Sequence, residues 1–384
     1  MIDDIIRPYP GEDKDTFYKR EAYFKRLLRH RFGVNSQRLE GMLRKAIPLD
    51  VDEKKRIDEI WAPYLTAALR DEIIDYRYYE CYKGLKSEED DLFKYIPDSF
   101  YRTFIDDYFT NPQDSRPCDN KNIYDLYFHD VNRPKTLFRK IRSLYLDENY
   151  SKISLKDVIR IAKDQPEIIC KKASFAAGGM GVFIWNSSKD DESKLMEYLR
   201  STEFVICQEI LNQHSELSRL NPSSINTLRI YTLLFQDEVH VLSSIVRMGR
   251  YGSRLDNASQ GGLVCGIKPN GQLKNAAWTV LADKFEIHPQ GFEFNSVTIP
   301  NYNECIDLVK SLARRMSAIS RLISWDLAIN EDGYPVLIEC NLSFTGTESL
   351  QIPNGPLLGN LTEVVLKEVF TNSYTLTSII KSYS

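Results

Sequence analysis

Two carboxylates and an amide stand together in ISWDLAINEDGYPVLIECN, residues 323–341. Two strand-like runs flank Asn330-Glu331-Asp332-Gly333, a turn signature, so the stretch predicts an antiparallel hairpin. If Ala328 pairs with Leu337, Asp326 lies opposite Glu339. Alternation then puts Asp326, Glu339 and Asn341 on one face, and Trp325, Leu327, Ile329, Val336 and Ile338 on the other. Carboxylates placed side by side repel unless something positive sits between them. A divalent ion fits that place, because two carboxylates and an amide oxygen, completed by water and phosphate, suit Mg²⁺ or Mn²⁺. The competing reading has both acids facing solvent on an open sheet.

A metal held by so few protein groups borrows ligands from substrate phosphates, and a second stretch can bind them. KKASFAAGGMGV, residues 171–182, follows the apolar run Ile168-Ile169-Cys170 and precedes Phe183-Ile184-Trp185. A lysine at a strand end supplies a point charge, and the glycines allow backbone N–H groups to approach phosphate oxygens closely. A surface hairpin with solvated lysines is the bland alternative. The order also departs from a P-loop. A third stretch, NTLRIYTLLFQDEVHVLSSIVRM, reads as a hairpin in which Phe235 pairs with Val239 across the turn. Arg229, Arg247 and Thr227 then share a face. An arginine inside an apolar strand needs an anion, which is either a phosphate or a neighbouring acid.

The elements that carry these groups follow from the pattern along the chain. Residues 15 to about 110 are rich in charged residues and Tyr, with Phe17, Phe24, Leu27 and Leu28 at helical spacing, and predict a mainly helical region. NPQDSRPCDN, residues 111–120, is dense in turn formers. Beyond residue 165, short β-branched and aromatic runs alternate with turn signals, and helical stretches fall near 189–200 and 302–319. The C-terminal two-thirds is therefore expected to be α+β with largely antiparallel pairing.

Composition narrows the partners. The 384 residues are 42% apolar, enough for more than one core, and the net charge is −4. That balance gives no general attraction to nucleic acid or anionic membrane, so an anionic ligand must be met by a local cluster. Seven cysteines without CxxC spacing and five unclustered histidines argue against zinc and suit a reducing compartment. No stretch has the length and apolarity of a membrane span, and the first residues lack the order of a signal peptide. The expected address is the cytoplasm.

Taken in order, Lys172 with its downstream glycines, FVICQEIL, NTLRIYT, Asp326 and Glu339-Cys340-Asn341 resemble the ATP-grasp superfamily. NQHSELSRLNPSSINTLRIYT, LDNASQGGLVCGI and SWDLAINEDGYPVLIECN are similar to its sugar-transfer-associated branch, over about residues 118–360. The resemblance implies an ATP-grasp fold, two α+β subdomains clasping ATP, behind the helical N-terminal region. The expected divisions are 1–115, 116–210 with the glycine-rich lid, and 211–384 with the metal site and a C-terminal helix.

It also implies roles. Lys172 would hold the α and β phosphates, with Lys171 as its rival, because Ala173 stands where the family often has Pro. Gly178, Gly179 and Gly181 would form the lid. Gln208, Glu209 and Leu211 would lie along the adenine, and Glu216 by the ribose. Lys121, in DNKNIYDLYF, would reach a phosphate. Arg247, assisted by Arg229, would steady the transferred phosphoryl group. Asp326, Glu339 and Asn341 would bind magnesium.

The implied reaction joins a carboxylate to an amine through an acyl-phosphate, with a sugar acid, amino acid or peptide on a glycan or its precursor as substrate. A homodimer is compatible with it. A kinase acting on a hydroxyl, and a nucleotide-binding module without catalysis, are the other two readings. Asn257, Gly261, Gly262, Glu348 and Gln351 are candidates for the acceptor side.

Overall fold

Among the described residues thirteen strands form two sheets, and all their pairings are antiparallel. The computed structural model describes residues 13–14, 36–64, 74–110, 115–174, 181–250, 252–253, 256, 261–342 and 346–371. Phe17, Phe24, Leu27 and Leu28 lie outside them.

The first sheet is built from β1 (Thr136–Ile141), β2 (Leu144–Asp147), β3 (Lys152–Ile153), β4 (Glu167–Lys172), β5 (Val182–Asn186) and β6 (Phe204–Glu209), in the order β3-β2-β1-β6-β4-β5. The second contains β7 (Leu228–Phe235), β8 (Glu238–Met248), β9 (Leu263–Ile267), β10 (Leu273–Trp278), β11 (Lys284–Phe285), β12 (Leu322–Ile329) and β13 (Pro335–Asn341), in the order β11-β10-β9-β8-β7-β12-β13.

Helices cover these sheets unevenly. In the N-terminal region lie α1 (Ser36–Leu43), α2 (Val51–Trp61) and α3 (Tyr76–Leu85). A capping box between Asp50 and Glu53 starts α2. On the six-stranded sheet, α4 (Leu155–Lys163) and α5 (Glu192–Ser201) press Val158, Ala162, Leu195 and Leu199 against Ile168, Cys170, Val205 and Cys207. Among the described residues, only one face of that sheet is covered in this way.

On the seven-stranded sheet, α6 (Tyr302–Arg315) covers one face through Val309 and Leu312, packed with Ile230, Val246, Cys265 and Trp325. The opposite face receives the N-terminal helices together with α7 (Glu348–Asn354) and α8 (Thr362–Thr371), which bury Tyr231, Leu233, Phe235, Ile245, Val264 and Leu322. The N-terminal region thus shares a core with this sheet, and Thr110 bridges to Ser320 with their hydroxyls 2.6 Å apart. Among the described residues, no helix is long and apolar enough to cross a membrane.

Two bulges correct the expected registers without moving the functional faces. Asp326 does stand opposite Glu339, but Ala328 pairs with Val336 because the register slips between Asp326 and Leu327. Ile338 is the extra residue, so Leu337 joins the core with Trp325 and Leu327, and Ile338 is only half-buried. In the second hairpin, Phe235 pairs with Glu238 rather than Val239. Gln236 and Asp237 both take positive φ, 49° and 62°, as a two-residue type I′ turn requires. A bulge at Leu242 restores the expected pairing of Arg229 with Ile245. The turn and the bulge shift the register in opposite senses, and Arg229 and Arg247 keep one face.

Candidate active site

The charged groups collect on the face of the seven-stranded sheet that the N-terminal helices leave bare at one end. Arg229, Asp326 and Glu339 form a row across β7, β12 and β13. Asp326 is buried, its side chain 1% exposed. It accepts two parallel bonds from Arg229, from Nε to Oδ1 and from Nη2 to Oδ2, both 2.8 Å. Arg247 Nη2 adds a third at 3.0 Å. Burial alone would push the Asp326 carboxyl up, but the two guanidinium groups prevail and hold it well below the usual carboxylate range. Arg247 is correspondingly held above its ordinary value, because Asp326, Asp256 and Glu339 outweigh its burial. In both arginines Nη1 has no hydrogen-bond partner among the described residues. These are the donors left for an incoming anion.

Glu339 is paired at 3.0 Å with Lys121, and Asn341 Nδ2 lies 3.5 Å from Asp326 Oδ2. Burial lowers the Lys121 ammonium, but Glu339 more than restores it. Nearby, burial raises the Asp119 carboxyl to about 6, with Glu339 adding to the rise and Lys121 opposing it. The Lys121 N–H donates to Ala173 O at 2.8 Å, which ties this loop to the end of β4 in the other sheet.

Adjacent lysines on β4 point to opposite faces. Lys171 Nζ donates to Gln208 Oε1 at 3.2 Å, on the sheet face that α4 and α5 leave uncovered. Burial lowers it to about 8, helped by Lys121 and Arg133 and opposed by Glu339. Through Glu339 on β13, Lys171 feels the charge of the second sheet. Lys172 is exposed, and its N–H donates to Gly181 O at 3.2 Å. Gly181 has φ +81°, and a Cβ there would come within 3.1 Å of Lys172 Cβ. Gly178 and Gly179 lie outside the described residues, as does Asn257.

The remaining candidates are more dispersed. Gln208 is buried and also donates to Pro134 O at 3.2 Å. Glu209 forms an exposed ion pair with Lys135, 3.4 Å apart. Leu211 is half-buried after β6. Glu216 is engaged by Arg219 at 2.8 Å in an exposed pair outside the charged cluster. The Gly261 carbonyl accepts from Arg250 Nε at 2.6 Å, and Gly262 is buried beside it. Glu348 is buried in the field of Tyr78, Tyr82 and Arg102. Gln351 uses its amide to hold Tyr82, Ile96 and Leu357. It anchors the N-terminal region and has no spare group for an acceptor.

A family model described as sugar-transfer associated ATP-grasp matches residues 118–367. The chain belongs to this ATP-grasp family. No curated protein sequence matches it. Among solved structures, the ATP-grasp ligase PsnB complexed with its minimal precursor is 14% identical, with TM-score 0.37, over 68% of this chain and 63% of that one. D-alanyl-alanine synthetase A from Vibrio cholerae O1 biovar eltor is 14% identical, with TM-score 0.41, over 70% and 67%. L-amino acid ligase from Bacillus licheniformis is 15% identical, with TM-score 0.38, over 67% and 48%. The chain thus spans under two thirds of PsnB and under half of the Bacillus protein.

Within the ATP-grasp chain, three further polar residues stand in or beside the cluster, and no motif marks them. Asp256 accepts from Thr227 N at 3.3 Å, and also from the Thr227 hydroxyl. Arg133, buried over the Tyr124 ring and paired with Asp125 at 3.0 Å, contributes positive charge toward Lys171. Asp119 completes the set. Asp256 adjoins Asn257, and Asp119 opens the DNKNIYDLYF stretch that carries Lys121. Arg133, in NRP, carries no periodic signal at all.

Proposed function

We propose that the protein is an ATP-dependent carboxylate–amine ligase that forms an amide through an acyl-phosphate. The observation that carries this reading is the gathering of Lys121, Arg229 and Arg247 around Asp326 and Glu339 on the seven-stranded sheet, with Lys171 of the six-stranded sheet close enough to feel the charges of Glu339 and Lys121. Such a set of cations suits a polyphosphate, and phosphoryl transfer proceeds by positioning and charge neutralisation without a protein nucleophile. The segments 116–210 and 211–384 act as the two halves of the clasp.

In this reading Lys171, rather than the outward-facing Lys172, is the clamp on the α and β phosphates, with Lys121 beside it. The free Nη1 donors of Arg229 and Arg247 meet the transferred phosphoryl group. Gln208, Glu209 and Leu211 line the adenine. Asp326, Glu339 and Asn341 offer the hard oxygen donors that magnesium takes. Among the described residues no three His, Cys, Asp or Glu side chains gather as a complete metal site, so phosphate oxygens must complete the shell. Magnesium would supply charge neutralisation at the phosphates when bound.

The family description favours a sugar acid, or an amino acid or peptide joined to a glycan precursor, as the carboxylate. The seven cysteines are free and buried, which suits a reducing cytoplasm.

Hydroxylamine trapping tests the chemistry. Protein, ATP and Mg²⁺ are incubated with pooled sugar acids and amino acids, and ADP and hydroxamate are scored by mass spectrometry. Acid-dependent hydroxamate that disappears in Glu339→Ala supports the ligase. ADP with a stable phosphorylated alcohol and no hydroxamate would instead identify a kinase.

A further inference from the structure

Arg247 is held from two sides, and the second side belongs to a residue with no role so far. Its Nε and Nη2 donate to Thr227 Oγ1 at 3.0 and 2.6 Å, while Nη2 also reaches Asp326. A threonine hydroxyl has one proton and two lone pairs. Here the proton goes to Asp256 Oδ2, so the lone pairs are turned toward Arg247. The same Asp256 oxygen accepts from the Thr227 N–H and lies 3.5 Å from Arg247 Nη2. Thr227 is buried, and Asp256 is 19% exposed in the connection between β8 and β9.

We infer that Asp256 is a positioning residue for Arg247, acting through Thr227 to fix the direction of the one guanidinium edge left open to the phosphoryl group. The inference rests on the proposed assignment of Arg247. Without Asp256 the Thr227 rotor is released, and Arg247 keeps only Asp326 as a charged anchor, which Arg229 already occupies with two bonds. Fully connected networks of this kind fix one geometry, and a network with one member removed does not. The carboxylate also ties the β8–β9 connection to the phosphate end of the site, so a substrate that reorients Asp256 reaches Arg247 by the same relay.

The test compares affinity for ADP with that for a non-hydrolysable ATP analogue by titration calorimetry, since Arg247 is assigned to the group that distinguishes them. In wild type the analogue should bind more tightly. Arg247→Met should lower that preference by roughly tenfold or more, the scale of a charge-assisted hydrogen bond. Asp256→Asn and Thr227→Val should lower it comparably while leaving ADP affinity within about threefold, and Thr227→Ser should restore it. In the Asp256→Asn, Arg247→Met double variant the losses should not add. Additive losses, or an unchanged preference in Asp256→Asn beside a lost one in Arg247→Met, would overturn the relay. Equal weakening of both nucleotides would reduce Asp256 to a structural part. An unchanged preference in Arg247→Met itself would remove the phosphoryl assignment, and the relay with it.

Discussion

One face of the seven-stranded sheet carries two surfaces of opposite character. At one end Tyr231, Leu233, Phe235 and Leu322 disappear beneath the N-terminal helices. At the other, Arg229 and Arg247 close on Asp326, and Glu339 pairs with Lys121. On β7 the boundary is one step of alternation, from Tyr231 to Arg229, and on β12 it runs from Leu322 through Ser324 to Asp326. The strands are the same, and what differs is the covering. At the covered end burial stabilises, by about 25 cal/mol per Å² of apolar surface. At the other end burial is a cost, offset only because each charge meets its opposite. That end is therefore held in place by the stability of its neighbour.

The largest expected effect separates the two ends by mechanism. Asp326→Ala leaves two guanidinium groups without their shared carboxylate and should cost about 3–5 kcal/mol in denaturant unfolding, together with all activity. Leu233→Ala should cost a similar amount, about 2–5 kcal/mol, from the cavity it opens, yet leave nucleotide affinity within about threefold. Replacing the charged set as a whole, by Arg229→Met, Asp326→Leu and Arg247→Met together, should recover most of the stability and none of the function. If Asp326→Ala lost under about 1 kcal/mol, or the triple variant stayed as unstable as the single one, mutual neutralisation of the buried charges would not be what holds this end together.

A smaller effect should divide adjacent residues. Lys171→Met is expected to weaken ATP binding by roughly tenfold to a hundredfold, the loss of a charge-assisted contact, whereas Lys172→Met should stay within about twofold. Titration calorimetry measures both. The reverse ranking would mean that β4 presents its other face to the nucleotide.

The sequence made the carboxylate pair legible because alternation survives any register that keeps Asp326 beside Glu339. It did not reveal the bulge at Ile338 or the one at Leu242, since a bulge is set by packing on both faces and no local residue pattern announces it. Alternation puts Arg229 and Arg247 on one face although the turn is one residue tighter than the sequence suggests, because the Leu242 bulge compensates for it. Lys171 and Lys172 could not be separated in the sequence. Alternation says that they point apart, and only the packing of α4 and α5 decides which face is covered. Asp256 was invisible for a different reason. It acts through Thr227, and a relay between loop and strand leaves no periodic trace.

The smallest predicted effect follows from the same lysine. With its ammonium lowered to about 8 by burial and by the charges of Lys121 and Arg133, Lys171 is substantially neutral just above that pH in the free protein. Bound phosphate favours the charged form and must raise its pKa, so binding takes up a proton. The contribution of Lys171 to affinity is therefore fully present below pH 8 and declines as pH rises through the free-state value. ATP affinity should fall by about tenfold per pH unit at most, starting just above pH 8. Calorimetry in buffers of different ionisation enthalpy should show up to one proton taken up there. Lys171→Arg keeps the charge through this range and should flatten the profile, because a guanidinium does not titrate below pH 12. A profile that stays steep in Lys171→Arg would move the titration to another group in the cleft, with Lys121 the first to test.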